Sequence, residues 1–495
     1  RSPPSSVSPP PGPGGRPYAG RVPAVGTLSE LRAVITVYWS LLLGNIIEWY
    51  EFAVYGYVAT ILEDKFFQGS HIAVWLGFSV TFLARPLGGV LMGVIGDHWG
   101  RRIAVNITVV GMLVGTVGQG CLPTYASGND ALGTFGLCGL IVFRLIQGLS
   151  TAGEISTIST YLCEVGSHRS LGRLMSLINI TVNLGFLAAV GVVYACESAL
   201  GDERFKAWGW RVPFFVALVP GVVAIAGRCR LPESEMFEQR RGASAATNEG
   251  DNAELAEEAR APPSSMQILT ATVRSQWPSM LIGSGGVVAF AVLQYGAFVW
   301  SQSFLAHHGM LANDRLYVGL VSRGLMTVLG VFVGWLADVM GVGWVMLFGG
   351  VCTTLLGLPL WAAVQSHPTD LTVVLLSIGI GLAALGALVG TSAFLFVVEL
   401  FPTEVRNTAV GISYNVGFAV FGGLAPMMAE ATSQWALGPG FLYSAAGATT
   451  ALAVCVGLWL QRRQVLRLAH VRREPYFVTC SGASQQTDKT DQSCA

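Results

Sequence analysis

An all-α integral membrane fold, with twelve transmembrane helices in two pseudo-symmetric six-helix bundles, is predicted by three features of the sequence. Charged residues make up only 12% of the 495 residues and hydrophobic ones 52%, where a soluble chain carries about 25% charged residues. Apolar runs of about 20 residues, the length that crosses a bilayer, recur twelve times. A single long polar segment, LPESEMFEQRRGASAATNEGDNAELAEEARAPPSS, divides these runs six and six. The 61 glycines fit this class, because small residues let membrane helices approach closely.

In order, the first six spans run from Leu31 to Leu62, Val74 to Gly96, Ile103 to Leu122, Ala131 to Glu164, Leu171 to Ser198 and Val212 to Cys229. The second six run from Pro278 to Leu305, Leu316 to Val339, Gly343 to Val364, Leu371 to Leu400, Asn407 to Ala431 and Pro439 to Leu460. Tilt or extension beyond the bilayer accommodates the longer runs. This divides the chain into a disordered N-terminus (1–30), a first bundle (31–231), a linker (232–277), a second bundle (278–461) and a tail (462–495). The linker mixes charges without apolar periodicity, so it reads as flexible. The opening RSPPSSVSPPPGPGG is too proline-rich for a signal peptide.

Arg101 and Arg102, then His168, Arg169 and Arg173, the linker, and the arginines from Arg462 to Arg473 fall on one side. The positive-inside rule therefore predicts that both termini and the linker are cytoplasmic. Net charge is zero, which points away from nucleic acid. The nine cysteines contain no CxxC pair and read as small apolar packing residues. Loops are too short for an extramembrane catalytic domain, and no nucleophile–base set is visible, so an enzyme is excluded. His307 and His308 form an isolated pair at the end of the seventh span; without a further ligand they predict no metal site, and no cofactor is expected.

The stretch GVIGDHWGRR joins the second and third spans and supplies Gly93, Asp97, Gly100, Arg101 and Arg102. Glycine suits a tight reversal there, Asp97 can cap the next helix, and the arginines can pair with acids of a neighbouring bundle. It reads either as a breakable latch between halves or as a positive-inside anchor with a tight turn.

The spacing Gly-x-x-x-Asp-x-x-Gly-Arg-Arg resembles the signature loop of the major facilitator superfamily, with His98 where Arg or Lys is usual. The second-half counterpart GWLADVMGVG keeps Gly334, Asp338 and Gly341 but not the arginines, which implies a weaker latch there. GNIIEWYEFAVYGYVA, FLARPLGGVLMGVIGD, FRLIQGLSTAGEISTISTYLCEV, WGWRVPFFVAL and ELFPTEVRNTAVGISYNVGFAVFGGLAP are similar to the metabolite–proton symporter family. That family includes bacterial proline/betaine, α-ketoglutarate, citrate and shikimate carriers, and the similarity extends over residues 35–460. It implies a major facilitator fold, secondary transport driven by a proton gradient, and a multi-pass protein of the plasma membrane that works as a monomer. The implied partners are a small-molecule substrate, protons and the lipid bilayer.

Ionisable residues inside the spans are functional candidates by default. Glu48 and Glu51 stand one helical turn apart on one side of the first span, and such repelling carboxylates suit a proton carrier. The family usually has Asp where Glu51 stands. Arg144 matches a superfamily position linked with proton coupling and can act on a first-span carboxylate, bind a substrate carboxylate, or form a structural pair. Glu154 matches the acid of the family's Gly-Gly-Glu motif, here with Ala152 replacing the first glycine. Arg85, before Pro86, reads either as a partner of Glu48 or Glu51 or as part of a kink. Arg323 in the eighth span either faces the cavity or snorkels to the outer interface.

Trp49 and Tyr55 beside the acids, and Tyr295 and Trp300 in LQYGAFVWSQSF, can line a cavity or simply pack between helices; an aromatic lining beside carboxylates suits a cationic nitrogen. Asn179, Asn183 and Asn415 can add cavity hydrogen bonds or bond helix to helix. The expected function is proton-coupled symport of a mono- or dicarboxylate, or of a zwitterion such as proline or betaine, by rocking of two bundles about a midplane site. The alternatives are an uncoupled facilitator or exchanger of the same solutes, and a transporter-like nutrient sensor. Arginines left without internal partners would suit anions; arginines consumed by the glutamates would suit zwitterions.

Overall fold

The computed structural model describes residues 27–99, 101–165, 170–228, 265–401, 406–435 and 437–462. Most of the expected N-terminus, linker and tail lies outside them, as does Gly100. The first-half spans are α1 (Thr27–Tyr57, resumed as Ala59–Phe66), α2 (His71–Trp99), α3 (Arg101–Cys121), α4 (Asp130–Thr151 and Glu154–Val165), α5 (Leu171–Leu200) and α6 (Val212–Val216 and Leu218–Arg228). The second-half spans are α7 (Ser265–Gly286, continuing to His307), α8 (Ala312–Met340), α9 (Val342–Ser366), α10 (Leu371–Glu399), α11 (Arg406–Thr432) and α12 (Gly438–Arg462).

Ten described segments are long and apolar enough to cross a membrane, and α3 holds a shorter apolar stretch, Asn106–Cys121. In α1 the middle carries Asn45, Glu48 and Glu51, which lower its apolarity. The seventh span begins at Ser265 rather than at Pro278, which sits inside the helix. A proline reads as a helix start in sequence, yet membrane helices accept internal prolines because neighbours re-satisfy the freed carbonyl.

Several spans are interrupted where they face the middle of the molecule. α1 breaks at Val58 (φ −100°, ψ 9°), and α4 breaks between Thr151 and Glu154. π-Helical turns occupy residues 293–300 of α7, 375–382 of α10 and 418–422 of α11; such turns re-aim side chains and recur at functional sites.

The halves meet along α5 against α8 and α2 against α11, with α1 facing α7. Glycine permits the tightest of these crossings: a Cβ on Gly334 of α8 would strike the Gly172 backbone of α5. Within the first half, a Cβ on Gly148 of α4 would strike the Thr81 carbonyl of α2. Short connections reverse successive spans. Glu63 at the end of α1 lies beside His307 at the end of α7, so the two halves run in parallel. One face of the bundle, here the linker side, therefore holds the starts of α1, α5 and α7 and the ends of α6 and α8; the opposite face is the far side.

Candidate functional site

Glu48, Arg85, Arg144 and Arg323 are completely buried, and Glu51 is 1% exposed. Charges at that depth persist only when paired or hydrogen-bonded. Glu48 of α1 forms an ion pair with Arg85 of α2, and Arg85 Nε also donates to Thr151 Oγ1 of α4 at 3.2 Å. The Arg85 guanidinium lies 5.2 Å from the Phe52 ring centre and 5.6 Å from that of Phe82. Of the two alternatives open for Arg85, the structure selects the pair, and with Glu48 rather than Glu51.

One turn along α1, Glu51 enters a different network. Its Oε2 accepts from Gln147 Nε2 at 3.1 Å, and that amide also donates to Thr116 Oγ1 at 3.0 Å. Gln147 Oε1 in turn accepts from Arg144 Nη1 at 2.9 Å. Glu51 and Arg144 are thus joined through one amide rather than by a direct ion pair. The Arg144 guanidinium stands 3.7 Å from the Tyr55 ring centre and 5.2 Å from that of Phe78. Glu51 Oε1, Arg144 Nε and Arg144 Nη2 are buried without a hydrogen-bond partner. A buried donor left unmade costs about 1–3 kcal/mol, more when charged, so these atoms can accept a further polar partner.

From the second half, Tyr295 in the π-helical turns of α7 reaches the same place. Its ring stacks on Trp49 at 6.1 Å with the planes 10° apart, and meets Phe82 edge-on at 4.8 Å and Phe78 at 5.5 Å. Its hydroxyl is buried without a partner. Phe418 of α11 closes the cluster, 6.1 Å from Trp49. This aromatic wall, shared between the halves, separates the Arg85–Arg144 pole from Arg323.

Arg323 of α8 lies 3.7 Å from the Phe186 ring centre on α5 and 4.9 Å from that of Phe298. Its Nη1 makes a long contact to Asn183 Oδ1, 3.5 Å, while Nε and Nη2 are unpartnered. It faces the interface between halves rather than snorkelling. Asn183 Nδ2 donates to the Asn179 carbonyl at 2.8 Å, and Asn179 Nδ2 to the Met326 carbonyl at 3.3 Å, so Asn183 borders the Arg323 pole while Asn179 ties α5 to α8.

Three candidates lie elsewhere. Glu154 is held by both terminal nitrogens of Arg228 at the end of α6; nothing local in the sequence distinguishes Arg228 from a positive-inside anchor. Trp300 packs 5.3 Å from Trp361 and donates to Glu430 Oε2 at 2.7 Å, inside the second half. Asn415 of α11 donates to the Ala152 carbonyl of α4 at 2.7 Å, a bridge between the halves at the α4 break.

A second bridge lies on the linker side. Asp338, in the second-half signature stretch, accepts from the Gly172 and Arg173 amides at 2.6 and 3.2 Å and from Arg173 Nε at 2.8 Å. The second-half counterpart of the signature stretch is thus in contact with the first half. Gly93, Asp97, Arg101 and Arg102 lie at the α2–α3 reversal, and their side chains are outside the described set, as is Gly100. On the far side, Tyr194 of α5 donates to Asn313 Oδ1 of α8 at 3.0 Å. The halves thus touch at both ends with the charged cluster enclosed between them.

Comparison with known proteins agrees with this fold. A family model described as sugar (and other) transporter matches residues 37–460. The proline/betaine transporter of Escherichia coli is 31% identical over 410 residues, covering 81% of this chain and 77% of that protein. The ectoine/proline transporter ProP of Corynebacterium glutamicum is 30% identical over 397 residues, covering 78% and 76%. The glycine betaine/proline/ectoine/pipecolic acid transporter OusA of Dickeya dadantii is 31% identical over 414 residues, covering 81% and 77%. Among solved structures, the major facilitator superfamily proton:xylose symporter XylE superposes with a TM-score of 0.63 at 19% identity, covering 87% of this chain and 95% of that one; this likeness is one of fold.

Proposed function

From the premise that this chain belongs to the sugar (and other) transporter family of the major facilitator superfamily, we propose that it is a proton-coupled symporter of a small solute bearing one carboxylate and one cationic nitrogen. The observation that carries this reading is Arg144: a buried guanidinium with two unpartnered nitrogens, set among aromatic faces and tied to Glu51 by Gln147. A substrate carboxylate meets the two free donors of Arg144 in the bidentate geometry a guanidinium favours. The cationic nitrogen lies against Trp49 and Tyr295, whose ring faces attract cations. Proline, betaine, ectoine and pipecolic acid, named for the relatives, all have this constitution.

Coupling follows from charge. An ionised Glu51 beside Arg144 competes for the guanidinium and repels an arriving carboxylate, whereas a protonated Glu51 does neither. Proton and substrate then favour one another, reciprocally as linkage demands. Glu48, consumed by Arg85, balances the charge of the first half; Glu154 supports the linker-side end of α4 through Arg228. The bundles of residues 31–231 and 278–461 rock about the aromatic wall, with Asp338 and Asn415 closing the linker side. That side is cytoplasmic, since the basic loop residues gather there, the membrane is the plasma membrane, and the chain acts as a monomer.

A second reading rests on Arg323, whose Nε and Nη2 are also free: a dicarboxylate could engage both arginine poles. Uptake of labelled proline, glycine betaine and ectoine against α-ketoglutarate, citrate and shikimate, in proteoliposomes with and without an inward proton gradient, separates the two. Accumulation of a zwitterion that collapses with a protonophore is expected, and Glu51→Gln should remove the gradient dependence while leaving exchange. Accumulation of a dicarboxylate alone would transfer the site to the arginine pair, and uptake indifferent to the gradient would leave an uncoupled facilitator.

A further inference from the structure

On the far side, well away from the charged cluster, three side chains from three helices converge. Glu63 ends α1, His71 begins α2 and His307 ends α7. His71 Nδ1 is 2.8 Å and His307 Nε2 is 3.8 Å from the same oxygen, Glu63 Oε2, and the three ligand atoms lie within 4.8 Å of one another. The imidazole centres are 4.5 Å apart with planes at 82°, so the rings are not stacked and both present a nitrogen to the carboxylate. Glu63 is 6% exposed in its side chain, while His71 and His307 are 49% and 34% exposed; the carboxylate is fixed and the imidazoles are reachable from solvent. Asp64 and Glu430 stand close enough to His307 to add negative charge around it.

We propose that Glu63, His71 and His307 form a binding site for a divalent transition-metal ion such as zinc, and that the bound ion clamps the far side of the transporter shut. Two imidazole nitrogens and one carboxylate oxygen, with a fourth position open to water, are a ligand set that zinc accepts at about 2.0–2.2 Å per bond. The nitrogen donors disfavour calcium and magnesium, which take oxygen ligands. The separations present need only small side-chain rotations to reach a tetrahedral arrangement. His308 supplies no ligand: its Nδ1 is engaged with the Phe304 carbonyl at 2.8 Å and its ring lies 4.0 Å from that of Phe304.

The functional consequence comes from chain topology. Two ligands belong to the first half and one to the second, so the complete site exists only while the far ends of α1, α2 and α7 are together. An ion that binds the closed form alone shifts the opening equilibrium by the factor one plus its concentration over Kd. At 100 times Kd, opening is suppressed about 100-fold and uptake falls with it. The sequence offered only the His307–His308 pair; the other two ligands are more than 200 positions away and enter only through the packing of α1 and α2 against α7.

Calorimetric titration of the purified full chain with zinc chloride tests the site directly. One ion per chain is expected, with cobalt substitution giving the visible absorption of a tetrahedral centre. His71→Gln, His307→Gln and Glu63→Gln should each weaken binding at least about tenfold, while His308→Gln should not. Uptake without metal, measured in each variant, reports whether it has folded. In proteoliposomes the wild type should lose uptake as zinc is added to the far side and regain it with a chelator, whereas His307→Gln should be insensitive. No zinc binding, or His307→Gln binding as tightly as wild type, overturns the bridging site; zinc that binds without slowing uptake overturns the clamp.

Discussion

Replacing Asp338 with asparagine is expected to open the linker side. Asp338 accepts three hydrogen bonds across the α5–α8 crossing, two from the Gly172 and Arg173 amides and one from Arg173 Nε. Hydrogen bonds to a charged group contribute about 1.5–3 kcal/mol each. The Arg173 side chain is 26% exposed against 3% for Asp338, so solvent screening reduces its share to about 0–1 kcal/mol. Asparagine keeps one acceptor oxygen, enough for one backbone amide, and turns an NH2 group toward the remaining donors. The net loss is then about 1.5–4 kcal/mol, or about a 10- to 700-fold shift toward the linker-side-open form at 1.4 kcal/mol per factor of ten. Spin labels at Ile103→Cys and Val339→Cys, exposed residues of α3 and α8 on this side, would report the change by electron–electron resonance as a longer-distance population. Gly334→Ala, which forces a Cβ onto the Gly172 backbone, should move the distribution the same way by sterics alone. An Asp338→Asn distribution that matches wild type would refute the assignment of this contact as a latch.

Three further outcomes follow from the packing. Arg85→Met, which leaves Glu48 buried without its partner, should lower the unfolding free energy by about 3–5 kcal/mol, and Glu48→Met with Arg85→Met should recover most of that loss in a thermal-shift assay. Tyr295→Phe keeps the stack on Trp49 but removes an unpartnered hydroxyl; stability should hold, while KM rises about 2- to 10-fold, the value of one neutral hydrogen bond to substrate. Gly148→Leu drives a side chain into the Thr81 carbonyl and should destabilise the α2–α4 crossing by at least about 1–3 kcal/mol, read as loss of the monodisperse species on size exclusion.

What the sequence determined by itself is the class of molecule and its inventory of charges. Hydropathy is a local property: a run of twenty apolar residues must be a buried helix in lipid whatever it packs against, so the twelve spans are legible to within a turn or so, except at Pro278, which lies inside its helix rather than at its start. The ionisable residues deep within the spans, such as Glu48, Glu51, Arg85, Arg144 and Arg323, were equally plain, because a charge inside an apolar run is visible without any partner; buried Arg228 and Glu63, at span ends, were not. Which charge meets which was not. Glu48 and Arg85 are separated by 37 positions, Glu154 and Arg228 by 74, and Glu51 and Gln147 by 96. Their pairing depends on the rotation and register of separate helices, which are set by glycine crossings such as Gly148 on Thr81 and Gly172 on Gly334. Tertiary packing alone decided that Glu48 meets Arg85 while Arg144 and Arg323 each keep two unpartnered nitrogens. It placed Trp300 away from them and brought His71 and Glu63 to His307. One helical turn separates Glu48 from Glu51 in the chain, but that turn carries the two carboxylates to different neighbours, Arg85 for one and Gln147 for the other.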